Sequence, residues 1–213
     1  MESRPREGNM LIKAVLFDMD GTLYDTRLDW LEIRHRIGLP YDGRPILRQL
    51  DEAEPELKKR GEEILFRAEQ EGAENGVLLP GAAELLHDLQ TRGVLCALIT
   101  NNSRRSVETV LARHPLPFDL VLSRDDGAAK PDPGIFCAAM EQLGVSPGET
   151  IAIGDTHLDL VAAQRAGISE IVLVGTLPWL REHIPSDAEY HEATDLVAAR
   201  KIIERLIGGE AGL

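Results

Sequence analysis

Leu11-Ile12-Lys13-Ala14-Val15-Leu16-Phe17-Asp18-Met19-Asp20-Gly21-Thr22 is the stretch that decides the fold. Its first seven residues are apolar except for Lys13 and read as a buried strand. Two carboxylates two residues apart then follow at the strand end. Like charges so placed repel, and such a cluster is kept where a cation or a reaction needs it. Gly21 lets the backbone turn where a side chain would obstruct. The plain alternative is an Asp-Gly turn with an acidic neighbour.

Downstream of residue 79 the pattern is strand and helix in alternation. Apolar runs at 94–99, 116–122, 150–153 and 170–174 read as strands. Between and after them, helices are predicted from Pro80-Gly81 to Thr91, over 103–113, 133–143 and 157–166, and over 196–207, with Gly93, Pro115, Gly144 and Gly167 as stops. Continuously apolar strands alternating with helices predict an α/β fold: a Rossmann-like parallel sheet of about five strands with helices on both faces. Ligands of such sheets bind at the carboxyl ends of the strands. The first strand belongs to the same sheet, which puts Asp18 and Asp20 at that edge.

Residues 25–78 interrupt the alternation and hold no convincing strand. Thr26 is read as the cap of a helix to about Arg36, followed by a turn at Gly38-Asp42-Gly43, a short helix over 45–50 and a long charged one over 54–72. The expected division is a catalytic core of 10–24 and 79–213 with a small all-helical cap, 25–78, inserted after strand 1. An insert there reads as a lid that excludes water and selects substrates; the alternative is a decoration that only adds stability. On the first of these helices Arg27, Trp30, Leu31 and Arg34 would share a face, making Arg27 and Arg34 candidates to pair with a substrate carboxylate. The competing reading leaves both arginines solvated.

Three further motifs follow the later strands. In Thr100-Asn101-Asn102 a hydroxyl and an amide at a strand end suit phosphoryl oxygens, and equally suit a turn into a helix cap. Lys130 in Lys130-Pro131-Asp132-Pro133 offers a point charge for a phosphoryl oxygen or a crowded carboxylate pair. In Gly154-Asp155-Thr156-His157-Leu158-Asp159 the two carboxylates, four apart, would stack on one helix face and approach one cation; capping is the alternative. His157 alone among carboxylates is read as an orienting or surface group. All four motifs fall at one sheet edge. That gathers carboxylates, a lysine and a hydroxyl in one crevice, and an oxygen-only ligand set suits Mg²⁺.

Composition narrows the partners. The formal net charge is −13 over 213 residues, with no basic run, which argues against nucleic acid or an anionic membrane. No apolar run approaches a membrane span. Residues 1–9 are polar and are read as a disordered extension rather than a secretory signal. Cys96 and Cys137 are expected in the core without a disulfide, which suits a reducing cytoplasm. The expected state is a monomer or homodimer.

With these four motifs in this order, the chain resembles the haloacid dehalogenase superfamily of hydrolases, in its phosphoglycolate phosphatase-like branch with a small helical cap. Asp18–Thr22 matches its DxDGT signature, Thr100 its second motif, Lys130 its lysine motif and Gly154–Asp159 its GDxxxD. The resemblance covers 11–207. It implies a Mg²⁺-dependent phosphatase of a small phosphorylated metabolite, phosphoglycolate-like or a sugar phosphate. Asp18 would be the nucleophile and Asp20 the acid and base. Thr100, Asn101 and Lys130 would cradle the phosphoryl group, Asn101 through its backbone N–H. Asp18, Asp20 (through its backbone carbonyl) and Asp155 would hold the metal, with Asp159 a ligand or just behind. A dehalogenase of the same fold would lack Asp20. A phosphomutase, or a non-catalytic binding protein on the same scaffold, remains open. Protonation of Asp20 in the first step predicts best turnover near or slightly below neutrality.

Overall fold

The computed structural model describes residues 12–208, with the side chains of residues 179 and 180 excepted; the extension expected at 1–9 lies outside the described residues. In chain order the strands are β1 (Ala14–Phe17), β2 (Tyr24–Asp25), β3 (Val77–Leu78), β4 (Leu95–Ile99), β5 (Leu120–Leu122), β6 (Thr150–Gly154), β7 (Glu170–Val174) and β8 (His191–Ala193). The helices are α1 (Trp30–Ile37), α2 (Ile46–Asp51), α3 (Pro55–Asn75), α4 (Ala82–Thr91), α5 (Arg104–Arg113), α6 (Gly134–Leu143), α7 (His157–Arg165), α8 (Pro178–Arg181) and α9 (Leu196–Gly208).

Six strands form one sheet in the order β5-β4-β1-β6-β7-β8, and every pairing is parallel. β1 lies inside it, between β4 and β6. Alternate residues of the strands feed two cores. Val15 and Phe17 pack with Leu85, Leu89, Val110 and Ile203 on one face. Leu16 packs with Phe136, Met140 and Leu160 on the other. Both faces are thus covered, as the unbroken apolar runs predicted.

The structure corrects the sequence reading at several points. The sheet expected to hold about five strands has six among the described residues, the short His191–Ala193 being added at the β7 edge. The 116–122 run contributes only Leu120–Leu122; Pro117, which lacks an N–H, precedes it. Short strands exist where none was expected: β2 and β3 pair antiparallel at the two ends of the helical segment. Thr26 does not cap the first helix. Asp29 does, accepting from Leu31 N and Glu32 N, because Arg27 takes a left-handed conformation (φ 57°) between β2 and the helix. Arg27 therefore precedes α1 and shares no helical face with Arg34. Cys96 is buried as expected, whereas Cys137 is exposed on α6.

Helices α1–α3 enclose a core of their own, built from Ile33, Ile37, Ile46, Leu50 and Leu65. The far end of α3 is fastened to α5. Gln70 Nε2 donates to Thr109 Oγ1 at 3.0 Å. Arg113 donates to Ala73 O at 2.8 Å, to Gly76 O at 3.3 Å and to the Tyr24 hydroxyl. A guanidinium at that position satisfies carbonyls a helix end leaves open and opposes the helix dipole.

Candidate active site

Parallel strands bring their carboxyl ends to one edge, and the predicted motifs meet there. Asp18 leaves the end of β1 with its N–H bonded to Ile153 O at 2.8 Å. Lys130, on the loop between β5 and α6, is 3% exposed. Its ammonium donates to Asp18 Oδ1 and Asp159 Oδ1, each at 2.5 Å, and to Ile99 O at 3.1 Å. All three of its protons are thus placed. Asp18 follows β1, Ile99 ends β4 and Asp159 lies in the first turn of the helix after β6, so the lysine is the tie among them.

Asp155 follows β6 and lies outside the helix, since Thr156 caps α7 and Asp159 is its third residue. Asp159 accepts from Thr156 N at 3.1 Å and Thr156 Oγ1 at 2.7 Å through Oδ2, while Lys130 holds Oδ1. Both its oxygens are engaged. Asp155 differs: its Oδ1 is buried without a hydrogen-bond partner among the described residues. Carboxylate oxygens of Asp18, Asp155 and Asp159 lie within 4.8 Å of one another. Burial, then Asp159, Asp18 and Asp20, push the Asp155 carboxyl well above its ordinary range. Burial also raises Asp18, to about 7, against the opposing pull of Lys130. An orphaned buried oxygen among acidic neighbours is the environment a hard divalent cation fits. Gly21 makes the fit possible. Its φ is +73°, and a Cβ there would stand 2.2 Å from Asp155 Oδ2.

Asp20 sits beside this cluster, and Asn102 Nδ2 donates to its Oδ2 at 3.0 Å. Its carboxyl is raised chiefly by burial, with hydrogen bonds from Thr26 and Asn102 acting against the rise. Thr100 Oγ1 accepts from Asn102 N at 3.1 Å. The Asn101 side chain brackets the Lys130 peptide: its Nδ2 donates to Lys130 O at 3.0 Å and its Oδ1 accepts from Lys130 N at 2.8 Å. Asn101 thus fixes the lysine loop, a contact the sequence reading did not foresee. Asn102, left without a role from sequence, donates to Asp20.

Above the carboxylates lies a cavity of about 290 Å³, roofed by the helical segment. Arg34 and Trp30 line it, whereas Arg27 does not. The Arg34 guanidinium donates to Pro40 O, Gln49 Oε1 and Arg44 O, so it braces the turn between α1 and α2. That turn touches the core through two histidines. Tyr41 OH lies 3.1 Å from His183 Nε2, and His157 Nε2 3.2 Å from Gly43 O. His157 thus reaches the helical segment through Nε2. Gly43 has a φ of +79°, and a Cβ there would come within 2.7 Å of the His183 ring. Gly43→Ala is expected to destabilise the chain by about 1–2 kcal/mol, a fall in Tm of roughly 2–8 °C. Thermal melting checks this; an unchanged Tm would mean the turn does not rest on His183.

Four motif loops on one edge of a parallel sheet, below a helical insert, are the architecture of the haloacid dehalogenase-like hydrolases, and the chain belongs to that family, whose model matches residues 12–167. Among curated relatives it is similar to the phosphoglycolate phosphatase of Pseudomonas savastanoi pv. phaseolicola, with 32% identity over 76% of this chain and 70% of that one. It is likewise similar to the validoxylamine A 7′-phosphate phosphatase of Streptomyces hygroscopicus subsp. limoneus, with 31% identity over 78% and 87% of the two chains. Among solved structures, a hydrolase from Pseudomonas syringae superposes with a TM-score of 0.71 at 25% identity, over 90% of this chain and 99% of that one.

Proposed function

We propose that the chain is a cytoplasmic, Mg²⁺-dependent phosphatase that hydrolyses a phosphate monoester of a small metabolite through an aspartyl-phosphate on Asp18. The observation that carries the reading is the buried tie of Lys130 to Asp18 and Asp159 beside the orphaned carboxylate oxygen of Asp155.

In this reading an Asp18 oxygen attacks phosphorus while the ester oxygen leaves with a proton from Asp20. Asp20, now a carboxylate, takes a proton from the water that hydrolyses the aspartyl-phosphate, and the enzyme returns to its starting state. Burial supports both roles, since it holds the Asp20 carboxyl raised. Lys130 stabilises charge on the phosphoryl oxygens and keeps Asp18 ionisable near neutrality. Thr100 accepts a backbone N–H through its oxygen, which leaves its own proton free for a phosphoryl oxygen. Mg²⁺ would be held by Asp18 and Asp155, with the Asp20 carbonyl as the resemblance implies, and would offset repulsion between carboxylate and phosphate. Asp159, with both oxygens engaged, orients Lys130. The helices of 25–78 act as the cap, and phosphoglycolate and validoxylamine A 7′-phosphate, after which two of the relatives are named, are the first esters to try.

A panel of phosphate monoesters with Mg²⁺ tests the reading: phosphate release is expected, and isomerised ester without free phosphate would favour a mutase. The pH profile tests Asp20. Asn102→Leu removes a hydrogen bond that favours the charged carboxylate, so the Asp20 pKa rises and the alkaline limb of kcat/KM moves to higher pH, with a lower plateau. A limb that stays in place would assign it to another group.

A further inference from the structure

Glu69, on α3, is a buried carboxylate for which the proposed chemistry has no use. It is 2% exposed. One oxygen accepts from Arg124, which also donates to Asn101 O at 3.1 Å. The other, Oε2, is buried with no hydrogen-bond partner among the described residues. Glu69 lines the cavity and Arg124 is not among the lining residues. Asp25 lines the same cavity. Of the two arginines in the lining, Arg34 is bonded to carbonyls and Gln49, and Arg44 is paired with Asp42 and Glu52. Gln49 in turn donates to Asp42 at 2.5 Å, which ties the Arg34 hydrogen bonds into the turn.

We propose that Glu69 is a specificity residue that selects an uncharged, hydroxylated leaving group, Oε2 accepting a hydroxyl of the departing alcohol. A carboxylate in the same place would face Glu69 with the nearby arginines already engaged. An unmade hydrogen bond at a buried acceptor is costly, and a ligand hydroxyl supplies it. This rests on the phosphatase reading.

The test compares glycerol 3-phosphate with 3-phosphoglycerate, which differ only in a CH₂OH against a carboxylate. p-Nitrophenyl phosphate serves as the general substrate. The parent is expected to favour glycerol 3-phosphate in kcat/KM. Glu69→Gln, which keeps shape and removes charge, should move that ratio by about tenfold toward 3-phosphoglycerate, chiefly through KM. Thr109→Val, which removes a contact between α5 and α3 away from the cavity lining, should leave the ratio alone. A parent that prefers 3-phosphoglycerate overturns the proposal. So does a Glu69→Gln variant that loses both esters equally, or a Thr109→Val variant that shifts the ratio as far. No turnover of p-nitrophenyl phosphate by the parent would instead refute the phosphatase reading itself.

Discussion

Asp18→Asn is expected to abolish phosphate release, by on the order of 10³-fold or more, because in the proposed mechanism the variant has lost its nucleophile. The same substitution is expected to make the metal-free protein more resistant to heat at pH 8. The folded chain holds the Asp18 proton up to about 7, against an ordinary 3.8, and burial is the largest cause. A carboxyl raised on folding binds its proton more tightly in the native state. Its stability contribution is therefore full at low pH and is lost as the pH rises from 3.8 to about 7. Asparagine carries no charge and escapes that loss. In chelator, the variant should melt above the parent at pH 8, and the gap should narrow at pH 5. Added Mg²⁺ should narrow it too, by stabilising the parent. A variant less stable than the parent at pH 8 would mean that Lys130 more than offsets the burial of Asp18.

Lys130→Met is expected to produce a large loss of stability. Methionine fills the same slender volume, but Asp18 and Asp159 are left buried without the cation they share. Breaking a buried ion pair from one side costs about 3–5 kcal/mol, and in a chain of this size that lowers Tm by roughly 6–20 °C. Activity should vanish with it. The double variant with Asp18→Asn separates charge from packing. Removing one stranded carboxylate should return part of the lost stability, so the two effects fail to add. Strict additivity would locate the loss in the shape of the side chain.

Where the sequence was legible, the physics was local. An apolar run ending in Asp18-Met19-Asp20-Gly21 could be placed because strand, edge and turn are all written within twelve residues. Where it was not, the deciding partner lay far away. Glu69 sits in a helix with Glu62, Glu63, Glu71 and Glu74 and looks solvated; only Arg124, 55 positions on, shows it buried. Asn101 and Asn102 are chemically identical neighbours, and only the folded loops show that one holds Lys130 and the other Asp20. Thr26 and Asp29 are both good caps. The choice fell to Asp29 because Asp25 is drawn into a strand whose partner, Val77, lies beyond three helices. β8 is three residues long, with polar His191 and Glu192, and its own composition does not announce a strand.

The inner place of β1 has a consequence for synthesis. Ala14 pairs with Leu95 on one side and with Thr150 on the other. A ribosome adding roughly 5–20 residues per second leaves this apolar segment without its second neighbour for on the order of 10 s. The nascent chain must shelter it until then, which makes β1 the stretch where a trigger of aggregation, or a binding site for a chaperone, would first appear.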